Sequence, residues 1–200
     1  MSVDQANQII EQVIEVEGGY VDNPDDKGGA TNLGITQATL SQFLGRAVHK
    51  DEVRELDMAT AVKIYKQDYW DRYKADQFPD QLKYVYFDQV VNHGPRNAGR
   101  ITQKSCVNRR TLEFDEIDGI VGPGTLAACA DLSMDSMLAE RAVFFSNLVL
   151  AECKYLVRTN QDQFLEGWMR HRVFELIRRD ERAKVLAEIE EEKKQQAEES

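Results

Sequence analysis

Glu17-Gly18-Gly19-Tyr20-Val21-Asp22-Asn23-Pro24-Asp25-Asp26-Lys27-Gly28-Gly29-Ala30-Thr31-Asn32-Leu33-Gly34-Ile35-Thr36 is the stretch on which the reading of this chain turns. Just before it, Val3, Ala6, Ile9, Ile10, Val13 and Ile14 recur at helical spacing, which predicts a first helix from Ser2 to Glu17. The pair Gly18-Gly19 stops that helix. From Tyr20 onward the residues are turn and loop formers, with Val21, Leu33 and Ile35 as the apolar anchors. A short β-hairpin or small irregular lobe is expected there, after which Thr36 caps a second helix running to about Leu44. Glu17 thus stands where a helix must stop, beside an acidic, glycine-rich loop, and its carboxyl can project into the cleft between the two.

Downstream the pattern stays helical. Val53, Leu56, Ala59, Val62, Ile64 and Tyr65 supply an inward stripe, closed by Tyr69, Trp70 and Tyr73, for one helix over 51–75. Pro79 starts the next, which Gly94-Pro95 stops, and another follows over 96–108. Asp118-Gly119 and Gly122-Pro123-Gly124 mark a loop before a helix near 125–130, and long helical patterns cover 134–157 and 161–178. Residues 179–200 are almost all charged or Gln and read as a solvated helix with i,i+4 charge pairs. The fold class is mainly α.

Bulk properties exclude several functions. The formal net charge of −10, with no concentrated basic face, argues against a nucleic-acid partner. No apolar run has the length of a membrane span or a signal-peptide core. The three cysteines, Cys106, Cys129 and Cys153, show no zinc spacing and are expected to be buried reduced thiols. His93 has no nearby Ser or Cys to form a triad and reads as a satisfied polar residue.

Glycoside hydrolysis needs one carboxylic acid to protonate the leaving oxygen and, in inverting enzymes, a carboxylate to position water roughly 6.5–9.5 Å away. Glu17 and Asp26 are residue types and positions that suit this pair. Taken alone, the residues leave other readings open. A Glu at a helix C-terminus is ordinarily a solvated charge, disfavoured by the dipole. Asp25 and Asp26 beside Gly28-Gly29 are ordinarily turn formers, and an Asp-rich loop can bind calcium, although this one lacks EF-hand spacing.

The quoted stretch resembles the signature of the glycosyl hydrolase 108 family of N-acetylmuramidases, which includes endolysins of phages infecting Gram-negative hosts. The resemblance continues through Tyr86-Phe87-Asp88-Gln89-Val90-Val91-Asn92-His93-Gly94-Pro95, Asp118-Gly119-Ile120-Val121-Gly122-Pro123-Gly124-Thr125-Leu126 and Gly167-Trp168-Met169-Arg170-His171-Arg172. It implies a lysozyme-like helical fold with a small hairpin lobe after the first helix. It makes Glu17 the catalytic acid, and by analogy with phage lysozymes it makes Asp26 and Thr31 the holders of the attacking water. The spacing from Asp26 to Thr31 is one residue shorter than in phage lysozymes. Tyr20, Asn92 and Asp118 are its substrate-binding candidates.

The resemblance divides the chain into a catalytic segment (1–80), a helical peptidoglycan-binding segment packed on it (81–178) and a charged helical tail (179–200). The implied partner is the peptidoglycan glycan strand, with cleavage of the β-1,4 bond between N-acetylmuramic acid and N-acetylglucosamine. That chemistry needs no cofactor and no metal. The expected protein is a monomer made in the host cytoplasm and acting on the cell wall, reached through a holin if phage-encoded. Two alternatives stand beside it: a lytic transglycosylase using the same Glu without water, and a non-catalytic wall-binding or secretion-accessory protein on the same fold.

Overall fold

The computed structural model describes residues 3–22, 29–155 and 162–179, together with 181, 182, 184 and 187. The predicted tail therefore lies almost wholly outside the described residues, as do Asp26 and the side chain of Cys153.

Helix α1 (Val3–Glu17) ends at Gly18, whose φ of +98° is the left-handed turn that a glycine makes without strain. Its inward stripe of Ile10, Val13 and Ile14 is fully buried, worth about 1.5–3 kcal/mol per side chain. The hairpin is short: β1 (Thr31–Asn32) pairs antiparallel with β2 (Ile35–Thr36), and Thr31 also bridges back to Val21. Asn32 pins the hairpin to α3 (Lys50–Arg54) by donating from Nδ2 to the carbonyls of Val53 and Arg54, both at 3.0 Å. Thr36 caps α2 (Gln37–Leu44) by accepting from Thr39 N, and Gly45 closes it in the left-handed region.

The single helix predicted over 51–75 is in fact divided. Asp57 accepts from Thr60 N at 2.7 Å and so starts a new helix, α4 (Met58–Tyr65), where the apolar stripe alone suggested continuity. A π-helical turn, Lys66–Asp71, extends α4, and Lys74 at φ 62° then ends the run. The widened turn places Trp70 in the core and leaves Tyr69 half-buried.

Helix α5 (Asp80–His93) is the central element. It packs against α1, α6 (Pro95–Asn108) and α8 (Met134–Tyr155), and every residue from Val85 to Val90 is buried. Burial on all faces makes polar residues costly unless partnered, and this helix carries Asp88, which is ion-paired, and Gln89, whose amide has no hydrogen-bond partner among the described residues. Helices α7 (Pro123–Ala128) and α9 (Asp162–Met169) complete the fold. A second π-helical turn, Arg170–Phe174, follows α9. The architecture is mainly helical with one small hairpin after the first helix, as expected. The buried apolar residues form one cluster that runs from Ala6 to Leu176.

The loop between α6 and α7 is organised by buried Gln103. Its Nε2 donates to Asp118 Oδ1 (2.8 Å) and the Ile120 carbonyl (3.2 Å), and its Oε1 accepts from Gly119 N (2.7 Å). Gly119 sits at φ +82°, and a Cβ on Gly99 would overlap its carbonyl, so the close approach needs both glycines. Cys106 and Cys129 are buried, with their sulfurs 3.6 Å apart. Contact with Cys106 and burial push the Cys129 thiol up, away from its reactive form. No helix among the described residues is long and apolar enough to cross a membrane.

Candidate active site

Glu17 projects from the last position of α1, its side chain 21% exposed. Arg172, from the second π-helical turn, donates from Nη2 to Glu17 Oε1 at 3.1 Å. The other arm of the same guanidinium donates from Nη1 to Asp88 Oδ1 at 2.5 Å. Asp88 Oδ2 in turn lies 2.5 Å from Nη1 of Arg141, a charge contact between two side chains with essentially no exposure. Arg141 donates from Nε to His93 Nε2 (3.0 Å) and from Nη1 to the Arg172 carbonyl (3.2 Å). The result is an alternating chain, Glu17–Arg172–Asp88–Arg141–His93, that ties the end of α1 to α5, α8 and the turn after α9. Each buried charge in it has an opposite neighbour, the condition under which burial of ions is tolerable.

Tyr65 forms the hairpin-side wall. Its hydroxyl donates to the Leu33 carbonyl at 3.1 Å, and its ring stacks on Tyr69 at 5.3 Å. Burial, and then the nearby charge of Glu17, push the Tyr65 hydroxyl well above its ordinary range. Burial, the charge of Asp68 and other nearby groups including Glu17 do the same for Tyr69. Both remain neutral hydroxyls at any working pH. Gly34 closes the wall at φ +72°, and a Cβ there would overlap the Tyr65 hydroxyl and come 3.4 Å from Glu17 Cβ. Gly34→Ala is therefore expected to cost activity about tenfold or more by shifting the Glu17 carboxyl. Relative turnover beside the melting temperature checks this, and an unchanged rate would show that the wall does not position Glu17.

Burial, with the adjacent Arg141 guanidinium second, pushes the His93 imidazole down to about 3, while Asp88 opposes the shift. In the unfolded chain the same group takes a proton near pH 6.5. Between those values the unfolded state binds a proton that the folded state refuses. Stability is therefore complete above about pH 6.5 and falls as the pH drops toward 3. Melting temperatures from pH 7 to 4 should decline less steeply in His93→Gln than in the parent. Parallel curves would remove His93 from the account.

The other sequence-predicted residues are placed as follows. Thr31 is half-buried and exchanges two 2.8 Å backbone bonds with Val21, so the hairpin returns it beside the chain leaving Glu17. Tyr20 is half-buried, and one face of its ring is covered by the Arg54 guanidinium at 4.7 Å. Asn92 is exposed and donates from Nδ2 to the carbonyl (2.8 Å) and Oδ1 (3.2 Å) of Asp88, which joins it to the charge chain. Asp118 is exposed and accepts from Gln103 and Ile120 N, contacts that hold its carboxyl below the usual pKa and brace the α6–α7 loop. The structure thus links Glu17 and Asn92, whereas Asp118 belongs to the Gln103 cluster.

Sequence reasoning missed Arg172, Asp88, Arg141, Tyr65 and Tyr69 as parts of the site. One signal was present: Asp88 is a lone carboxylate inside the apolar run 85–91, which demands a buried cation from elsewhere. Among the described residues no group of three or more His, Cys, Asp or Glu side chains is placed to hold a metal ion.

Residues 10–94 match the sequence profile of glycosyl hydrolase 108. Over 93% of its length the chain is similar to the solved structure of Brucella abortus SagA, covering 96% of that chain at 33% identity with a TM-score of 0.62. The chain belongs to the glycosyl hydrolase 108 family. No curated protein sequence matches it significantly. As a member of that family it is a glycoside hydrolase, and Glu17 and the hairpin wall lie within the matched residues.

Proposed function

We propose that this glycosyl hydrolase is an endolysin-type N-acetylmuramidase, cleaving the β-1,4 bond between N-acetylmuramic acid and N-acetylglucosamine in peptidoglycan. The observation that carries the reading is the placement of Glu17. It is a partly exposed carboxyl at a helix end, backed by a buried charge chain and walled by two neutral tyrosines. Glu17 protonates the glycosidic oxygen, while Asp26, with Thr31, orients the attacking water.

The ion pair bears on how that acid works. At rest the Glu17 carboxyl is engaged by Arg172 at 3.1 Å. Proton delivery requires Glu17 to part from Arg172 as the glycan enters. Arg172 can give up Glu17 because it keeps Asp88, so no cation is stranded in the interior. In this reading residues 81–178 supply both the support for Glu17 and the contact with peptidoglycan. The monomeric enzyme is made in the host cytoplasm and reaches the wall once the membrane is permeabilised, by a holin if phage-encoded.

Mass analysis of the muropeptides released from purified peptidoglycan tests bond and mechanism together. Reducing N-acetylmuramic acid ends are expected. Products ending in 1,6-anhydro sugars would replace hydrolysis by transglycosylation, and reducing N-acetylglucosamine ends would move the cleaved bond.

A further inference from the structure

A cavity adjoins the charge chain at His93 and Arg172. It encloses about 300 Å³ between the α5–α6 junction, α8 and α9, and it is lined by Asn92, Asn97, Phe144, Trp168 and Arg172, with His93 at its floor. That volume is at the small end of the range for ligand pockets, about 300–1,000 Å³, and suits one sugar unit.

Its chemistry is specific. Asn92 spends its Nδ2 on the carbonyl and carboxylate of Asp88, and Asn97 spends its Nδ2 on the His93 carbonyl at 2.9 Å. A carbonyl accepts only from the amide nitrogen, so these bonds fix which way both amides face. Among the described residues neither Oδ1 atom has a donor, which leaves both suited to N–H and O–H groups. The aromatic floor is braced from within. Phe144 packs on the His93 ring at 4.8 Å, and Trp168 stacks on Phe145 at 5.1 Å. Aromatic faces beside fixed acceptors match a pyranose ring that has apolar C–H faces and an acylamino N–H. Another cavity that Arg172 lines has a contrasting, charge-rich wall in which Glu15, Asp88 and Glu175 stand beside His171 and Arg179. Among the described residues the Asn–aromatic cavity has Arg172 as its only charged lining group, so its wall is mainly apolar and neutral polar.

We propose that this cavity is a saccharide subsite taking one N-acylated hexosamine unit of the glycan, with the ring on Phe144 and Trp168 and its donors on Asn92 and Asn97. The proposal deepens the muramidase reading and rests on it for the identity of the glycan. Arg172 is the shared wall: the group that pairs with Glu17 also lines the subsite, so sugar entry is felt directly at the ion pair.

Titration of the full-length chain with tri-N-acetylchitotriose, followed by tryptophan fluorescence, tests it. Trp70 is sealed in the core, so Trp168 is the reporter. A saturable change is expected, abolished in Trp168→Phe, with Kd raised roughly tenfold in Phe144→Ala and in Asn97→Leu. Circular dichroism verifies that each variant is folded, and the two act on different walls. The absence of a saturable change, or one that survives Trp168→Phe, overturns the proposal. Equal binding of an N-acetylated dipeptide overturns the choice of sugar over peptide amide. Binding is read without turnover, so the result stands whichever way the activity of Glu17→Gln falls.

Discussion

Glu17→Gln is expected to lower the rate of peptidoglycan solubilisation by roughly 10³-fold, the scale of a lost general acid. The substitution keeps the side chain's length and an oxygen that Arg172 can still donate to, while removing the transferable proton. The melting temperature should therefore move little, because Glu17 is the partly exposed end of the charge chain and Arg172 retains Asp88. Turnover on chloroform-treated Gram-negative cells and on purified peptidoglycan, measured on a variant with parental circular dichroism, checks the prediction. A variant that cleared cells at the parental rate would end the assignment of Glu17.

Arg141→Met has the largest expected effect on stability. Arg141 is fully buried, and its loss removes the charge contact to Asp88, the donor to His93 Nε2 and the donor to the Arg172 carbonyl. Breaking a buried pair from one side costs about 3–5 kcal/mol, because the remaining ion keeps its desolvation penalty. For a chain of this size that is a fall of roughly 10 °C in melting temperature. Met approximates the apolar length of Arg, so the loss reads charge rather than volume. Adding Asp88→Leu should recover part of it, since no carboxylate is then left buried. A single variant with unchanged melting temperature would show that the chain carries no net stability.

These two experiments separate the parts of the site that differ in how far the sequence revealed them. The end of α1 is local: Gly18-Gly19 stops the helix, and Glu17 precedes it. Thr36 and the Gly94-Pro95 pair likewise mark helix boundaries that the structure reproduces. The division of residues 51–75 was less visible, because a stripe of apolar residues continues through Leu56 while Asp57 caps a new helix. Periodicity does not register a cap within a stripe, nor the extra residue of the π-helical turn that follows. The partners of Glu17 are hidden for another reason. Arg172, Asp88 and Arg141 meet only through tertiary packing, and no spacing rule connects residues 31 to 155 positions apart. Asp118 shows the converse: its motif is plain in the sequence, yet its carboxyl contacts explain a loop.

The bond between Glu17 and Arg172 joins positions 155 residues apart, and this separation has a consequence for the order in which the protein is made. A ribosome delivers α1, the hairpin and the tyrosine wall early, but the guanidinium that holds Glu17 emerges only when most of the chain has been translated. Nascent chains and products truncated before the second π-helical turn contain the acid and lack its support. A residue about six-sevenths of the way along the sequence thus supports an acid in its first tenth, and expression of forms truncated before Arg172 should yield the matched family segment without its activity.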